Sequence, residues 1–302
     1  MGVIGHGSMS HNGYLQTSAG EVFFEWHGPE TGVPLVCVHG GPGFTSYYLE
    51  PLTDLSHDVP VILYDQAGCG RSRRGGARKV FSIDGFISEL EDLRRGLAIE
   101  KMSLLGHSFG GLIIGEYALR HPERVKSLIF ACVSIDIPRW VADGERLVGQ
   151  LPLMQRMVLR EGARTGATNS PHYLSALSAY YKKHVYGCDD IPESIRRAEA
   201  EADAQTYQTV WGSNELVVNG IVREYSLSPR LPELRAPTMF MCGRLDEATP
   251  EAHTYFASRV PGATARILER SAHHPFLTER DESLRVVSEF LKAIPEEARA
   301  SR

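Results

Sequence analysis

No run of about 18 apolar residues occurs anywhere in the chain, so no segment reads as a membrane span. There is no block of basic residues either. The 32 Lys and Arg are outnumbered by 37 Asp and Glu, for a net charge of -5. Such a balance makes nucleic acid or an anionic membrane a poor partner. Cysteine is scarce, with five residues, an odd number, and no C-x-x-C spacing. Cys37, Cys132 and Cys242 lie inside the apolar runs "LVCVH", "LIFACV" and "MFMCG", as buried thiols do. A reducing cytoplasm is the expected compartment. The opening "MGVIGHGSMSHNG" has no apolar core of a signal peptide and reads as a frayed tail or a cloning remnant. No His, Cys or Asp grouping has metal-ligand spacing and no G-x-G-x-x-G follows a strand, so no metal or cofactor is expected.

What is present is an ordinary globular composition, 42% apolar and 23% charged over 302 residues. The first half alternates strands with helices. "EVFFEWHG" has a strand's period of two, while "PLVCVHG", "VPVILYDQ", "KMSLLGHS" and "VKSLIFACVS" are continuous apolar runs ending in turn residues. Continuous runs belong to strands covered on both faces. Between them, Ile83, Phe86, Ile87, Leu90, Leu93 and Leu97 recur on one helical face after Ser82, a candidate N-cap. This rhythm predicts an α/β fold with a mostly parallel sheet of about eight strands. It stops near Asp136. Helical pieces opened by Pro138, by Ser170–Pro171 and by Pro192 fill residues 135–225. The strand signal returns in "PTMFMCGRLD" and "TARILERSAHH" before a closing helix "RDESLRVVSEFLKAI" and a tail "PEEARASR" expected to be mobile. The expected organisation is a core of 1–134 and 226–302 with a helical cap at 135–225.

Four segments carry chemistry. "GHSFGG" fits G-x-S-x-G, a pattern too short to mean much alone. Here a strand runs into it and a helix runs out, the strand-turn-helix that exposes a nucleophile, Ser108, above a sheet. "HGGPG" follows an earlier strand, and its adjacent glycines let backbone N–H groups approach a developing oxyanion. Gly41 and Phe109, the residue after the nucleophile, are the candidate donors. A serine needs a base, and the base needs an acid to fix its tautomer. In chain order Ser, acid, His, the histidines past the last strand are His273 and His274; His273, directly at the strand's end, is the preferred base, with His274 assigned to packing or the surface. Asp246 ends "TMFMCGRLD" and is the preferred acid; Asp136, ending "LIFACVSID", is the rival.

Together "HGGPG", "YDQAGCGRS", "GHSFGG", "SNELVVNG" and "GRLDEATP" resemble the proline iminopeptidases of the α/β-hydrolase fold, a family that includes the archaeal tricorn-interacting aminopeptidase. The resemblance runs from about residue 13 to residue 291. It implies a serine exopeptidase acting through an acyl-enzyme on a short peptide or amino-acid amide. It also implies that Glu215, in the "NE" pair, and Glu247, after the triad acid, grip the substrate's α-ammonium, and that Tyr207 lines the same pocket. Physical chemistry agrees with this. With Asp246 turned to its histidine, Glu247 projects elsewhere along the pocket rim, and two carboxylates in one apolar pocket repel unless a cation joins them. One departure is Ala67, where many proline-specific members have Arg. Two other uses of the same residues remain open at this level: an amidase or esterase of a secondary pathway, and a ligand receptor with little turnover.

Overall fold

The computed structural model describes residues 10–73 and 81–295. Eight strands form one sheet: β1 (Ser10–Thr17), β2 (Gly20–His27), β3 (Leu35–Val38), β4 (Val61–Tyr64), β5 (Met102–His107), β6 (Val125–Ala131), β9 (Thr238–Gly243) and β10 (Thr264–Leu268). Their order is β1-β2-β4-β3-β5-β6-β9-β10. The first two pairings, β1 with β2 and β2 with β4, are antiparallel, and the other five are parallel. Two short strands, β7 (Gly212–Asn214) and β8 (Val217–Val218), make a separate hairpin.

Alternate residues of the central strands feed two different cores, because successive side chains of a strand point to opposite faces. Val36, Val38, Ile62, Leu104 and Phe130 join one core with Phe86 and Leu90 of helix α1 (Ile83–Gly96) and Leu112 and Ile113 of α2 (Gly110–Arg120). Leu35, Cys37, Leu63, Leu105 and Ile129 join the other. Both faces are covered, hence the unbroken apolar runs. Ser82 caps α1 by accepting the Gly85 N–H, as the sequence predicts.

Between β6 and β9 the chain inserts helices α3 (Ile137–Val148), α4 (Leu153–Thr165), α5 (Pro171–Tyr181), α6 (Glu193–Ala200) and α7 (Ala204–Val210), with the β7–β8 hairpin after them. Leu147, Leu159, Tyr173, Leu177 and Tyr180 give this insertion an apolar cluster of its own. Its two ends are tied together. Asp136 and Ser226 form an antiparallel bridge, the Asp136 carboxylate accepts the hydroxyls of Ser226 (2.9 Å) and Ser228 (2.6 Å), and it N-caps α3 through the Arg139 N–H. Helices α8 (Pro250–Arg259), α9 (Pro275–Thr278) and α10 (Arg280–Ala293) complete the chain.

Three local expectations change. Ser10–Gly13 are not a tail but the first half of β1, paired with Phe24–His27. Pro192 is the N-cap of α6 rather than a first-turn residue, and α3 begins one residue before Pro138. Residues 1–9 and the tail from 296 lie outside the described residues.

Strand register places the chemistry. Val38 pairs with Gly106, His107 with Ala131, and Ala131 with Met241, so β3, β5, β6 and β9 end nearly flush at their carboxyl ends. Open α/β sheets bind ligands at that edge.

Candidate active site

Ser108 occupies the turn from β5 into α2 with φ of 52°. That left-handed backbone costs a residue with a Cβ roughly 1–2 kcal/mol. The surroundings enforce it: the Ser108 N–H donates to the Ala131 carbonyl (3.0 Å) and the Gly111 N–H to the Ser108 carbonyl (3.0 Å). A Cβ on Gly110 would lie 2.2 Å from the Val38 carbonyl oxygen, so α2 could not start this close to β3 with any other residue. The neighbouring glycine loop is equally tight. A Cβ on Gly40 would lie 2.6 Å from that of Ser108, and Gly41 has φ of 46°. Among the described residues, neither the Gly41 nor the Phe109 N–H is used by a turn or cap hydrogen bond to backbone, whereas the Gly40 N–H donates to Tyr48 Oη at 2.6 Å.

His273 and Asp246 meet as the sequence predicts. His273 Nδ1 lies 2.7 Å from Asp246 Oδ1, and a carboxylate only accepts, so Nδ1 carries the proton and Nε2 is the basic nitrogen. The same Asp246 oxygen accepts the Ala248 N–H at 2.8 Å. Burial opposes the charge on Asp246, but His273 beside it and the Cys132 thiol outweigh this and hold the carboxyl below its usual range. Ser108 and His273 line one cavity without a direct hydrogen bond; in ligand-free sites this contact is often long and closes on binding. Asp136 does not approach the base, being engaged with Ser226 and Ser228. His274 is buried, its ring stacked on His107 with centroids 5.4 Å apart, so it packs and is not at the surface.

The cavity holds about 330 Å³ and is lined by Gly41, Ser108, Tyr207, Glu215, Glu247 and His273 among others. Glu215 sits at the β7–β8 turn, with Tyr207 Oη donating to its Oε1 at 2.8 Å and Trp140 Nε1 donating to its carbonyl at 2.9 Å. Glu247 is 2% exposed, and neither carboxylate oxygen has a hydrogen-bond partner. It is therefore not the rim residue expected from the sequence but a buried one. Burial, then the charges of Glu215 and Asp246, push its carboxyl well above the usual range. Burial raises Glu215 as well, against the Tyr207 hydrogen bond and the nearby His273.

Sequence reasoning did not find Tyr48 and His107. His107 Nε2 donates to the His273 carbonyl (2.7 Å), which leaves Nδ1 to accept from Tyr48 Oη (3.0 Å). With the Gly40 N–H on the same phenol oxygen, a hydrogen-bonded chain joins the glycine loop to the backbone of the base. Burial lowers the His107 pKa to about 3, so the ring stays neutral in its part of this chain. Its only sequence signal was its place within G-x-S-x-G.

Ligand atoms of His107, Cys132 and His273 come within 4.8 Å of one another. They fit a metal poorly. His107 Nε2 is committed to a carbonyl, and burial pushes the Cys132 thiol up, whereas a metal needs the thiolate. The backbone of Ala67 meets a buried carboxylate. Glu89 is fully buried in α1, with Oε2 accepting the Ala67 N–H (2.9 Å) and Oε1 unpartnered. Burial raises its carboxyl to about 8.

The family model described as alpha/beta hydrolase fold matches residues 33–280. A proline iminopeptidase of Heyndrickxia coagulans is 34% identical over 288 residues, covering 95% of this chain and all of that protein. Among solved structures, VinJ superposes with a TM-score of 0.88 at 29% identity, covering 94% of this chain and 99% of VinJ. A proline iminopeptidase from Mycobacterium smegmatis gives 0.83 at 28%, covering 93% and 98%. With the sheet order, the elbow and this near full-length similarity in agreement, the chain belongs to the proline iminopeptidase family of α/β hydrolases.

Proposed function

We propose that the protein is a serine exopeptidase that removes the N-terminal residue, proline or another small or apolar one, from short peptides or amino-acid amides. Ser108 attacks the carbonyl of that residue while His273 Nε2 takes its proton and then passes it to the leaving amine. Asp246 holds the imidazole in the tautomer this requires and stabilises the imidazolium. The N–H groups of Gly41 and Phe109 receive the oxyanion. Water, activated by the same histidine, then releases the acyl group. Glu215 and Glu247 hold the α-ammonium, with Tyr207 orienting Glu215. The insertion at 135–225 acts as a cap over the core of 1–134 and 226–302, limiting the length of chain admitted. With Ala67 in place of Arg, residues other than proline are accepted at the first position. Five free thiols, three of them within sheet strands or at a strand end, suit a reducing cytoplasm.

The observation that carries this reading is Glu247. A buried carboxylate with two unpartnered oxygens, in the cavity that holds an elbow serine, calls for a cation, and a free amino terminus is one. An ester-only hydrolase would gain nothing from it. The test is a set of unblocked aminoacyl amides, prolinamide among them, against their N-acetylated counterparts. Only the unblocked amides should be turned over; equal rates on both would refute the reading.

A further inference from the structure

We infer that the ligand-free enzyme holds a proton on the Glu215–Glu247 pair, and that the substrate's ammonium displaces this proton when it binds. The inference rests on the assignment of these two residues to the ammonium and adds what occupies the site beforehand.

Charge accounting at the site leads to it. Both carboxylates line one cavity; Glu247 is almost wholly buried and has no partner on either oxygen. Among the described residues, no Lys or Arg forms an ion pair with either. The titratable groups around the pair bring no positive charge. Tyr180 and Tyr181 from α5 and Tyr207 from α7 are held neutral, their hydroxyls pushed up by burial and by these same glutamates, and Tyr186 is held neutral by burial and by Glu199. The hydroxyls of Tyr180 and Tyr207 ease the two charges without cancelling either. Asp246 adds a further negative charge beside Glu247, and that carboxylate is engaged with His273, while burial holds the neighbouring rings of His107, His184 and His274 neutral. Two bare carboxylates in such a place would face each other across a medium that screens them little. A shared proton removes one charge, as in other close carboxylate pairs. An ammonium, placed between them with several N–H donors, can serve both ionised groups at once and makes the proton unnecessary.

The step balances without any bond to carbon changing. Protonated pair plus ammonium gives ionised pair with bound ammonium plus one proton to solvent. Affinity for an ammonium ligand should then rise about tenfold per pH unit while the pair is protonated in the free enzyme, and stop rising once the ligand loses its own charge, near pH 8 for a typical α-amine.

The experiment uses full-length Ser108→Ala, in which bound prolinamide stays intact. Calorimetric titration with prolinamide at pH 7 in phosphate and in Tris, buffers of different ionisation heat, gives the protons released per ligand. Cyclopentanecarboxamide, which has the same ring without the nitrogen, is the uncharged control. Release approaching one proton, lost when Glu247→Gln is added, is the expected result. Release of fewer than about one proton in five, with prolinamide still bound in preference to the control, would overturn the displaced proton while leaving the ammonium assignment standing. Unchanged release in the Glu247→Gln background would locate the proton on His273 instead and overturn it too. Equal binding of the two amides would sink the ammonium assignment itself, and this inference with it.

Discussion

Glu89 makes the protein's stability depend on pH in a way that one substitution should erase. The side chain is fully buried, with one oxygen on the Ala67 N–H and the other unpartnered, and its carboxyl is raised to about 8. An unfolded chain returns it to about 4.5. Between these values the folded state binds a proton that the unfolded state does not, so stability falls as pH rises through this window and levels off above it. At about 1.4 kcal/mol per unit, the loss between pH 5.5 and 8 comes to about 3 kcal/mol. Glu89→Gln keeps the shape and the acceptor for Ala67 but cannot ionise. Urea unfolding of both proteins at pH 5.5, 6.5, 7.5 and 8.5 measures the effect as a difference, in which every other titrating group cancels. The variant should gain on the wild type by about 3 kcal/mol across the series. A constant difference at all four pH values would refute the reasoning and place an unseen donor or cation at Glu89. Ala67→Arg offers a complementary check, since a guanidinium at this position would hold Glu89 ionised and flatten the same slope.

Ser108→Ala should leave the melting temperature unchanged and lower turnover at least ~10³-fold; activity retained in a stable protein would exclude Ser108 as the nucleophile. Asp246→Asn should lower kcat on the order of 10⁴-fold by reversing the His273 tautomer. Asp136→Asn should instead spare kcat and reduce stability by roughly 1–2 kcal/mol, read by urea unfolding, because it weakens a cap and two hydroxyl contacts. Glu247→Gln should lower kcat/KM for free-amine substrates ~10²–10⁴-fold, the equivalent of about 3–5 kcal/mol for a one-sided loss of a desolvated ion pair. Hydrolysis of a small uncharged ester should survive the same change, and equal losses on both substrates would move Glu247 into the catalytic machinery. Tyr48→Phe should lower kcat about 10–100-fold with KM little altered, since it cuts the link between the Gly40 amide and His107 at about 1–3 kcal/mol for buried groups left unpaired; a change confined to thermal stability would make Tyr48 structural only.

The parts of the fold legible in the sequence were those where burial leaves a pattern. Strands β3 to β6 and β9 are covered on both faces and cannot hide their apolar runs. The edge strand β1 has no such run: its residues are mostly exposed, and "SHNGYLQT" looks like a tail until Phe24 and Trp26 are seen opposite it. The elbow was legible because three constraints coincide in six residues. The choice between Asp136 and Asp246 was not decided by the strands they follow, since both leave the same sheet edge. What distinguishes them in the structure is partners far along the chain, Ser226 and Ser228 for one and His273 for the other. Tyr48 and His107 illustrate the limit. Their hydrogen bonds join residues 59 and 166 positions apart, and no local spacing encodes such a contact.

The knot at Asp136 and Ser226 has an evolutionary consequence. Because the insertion leaves and rejoins the sheet at a single stitched point, the core closes beneath it whatever hangs above. Its length is then nearly free, each doubling of a loop costing only about 0.6 kcal/mol. A lineage could lengthen, trim or exchange much of this cassette, but not the turn at His184 and Val185, whose carbonyls accept the N–H groups of Glu247 (3.2 Å) and His273 (3.1 Å). Glu215 limits that freedom as well. It hangs on the cassette and Glu247 belongs to the core; if the pair holds the α-ammonium as proposed, a transplanted insertion would arrive with only half of a two-handed grip, to be rebuilt before any taste for the residue behind it could be refined.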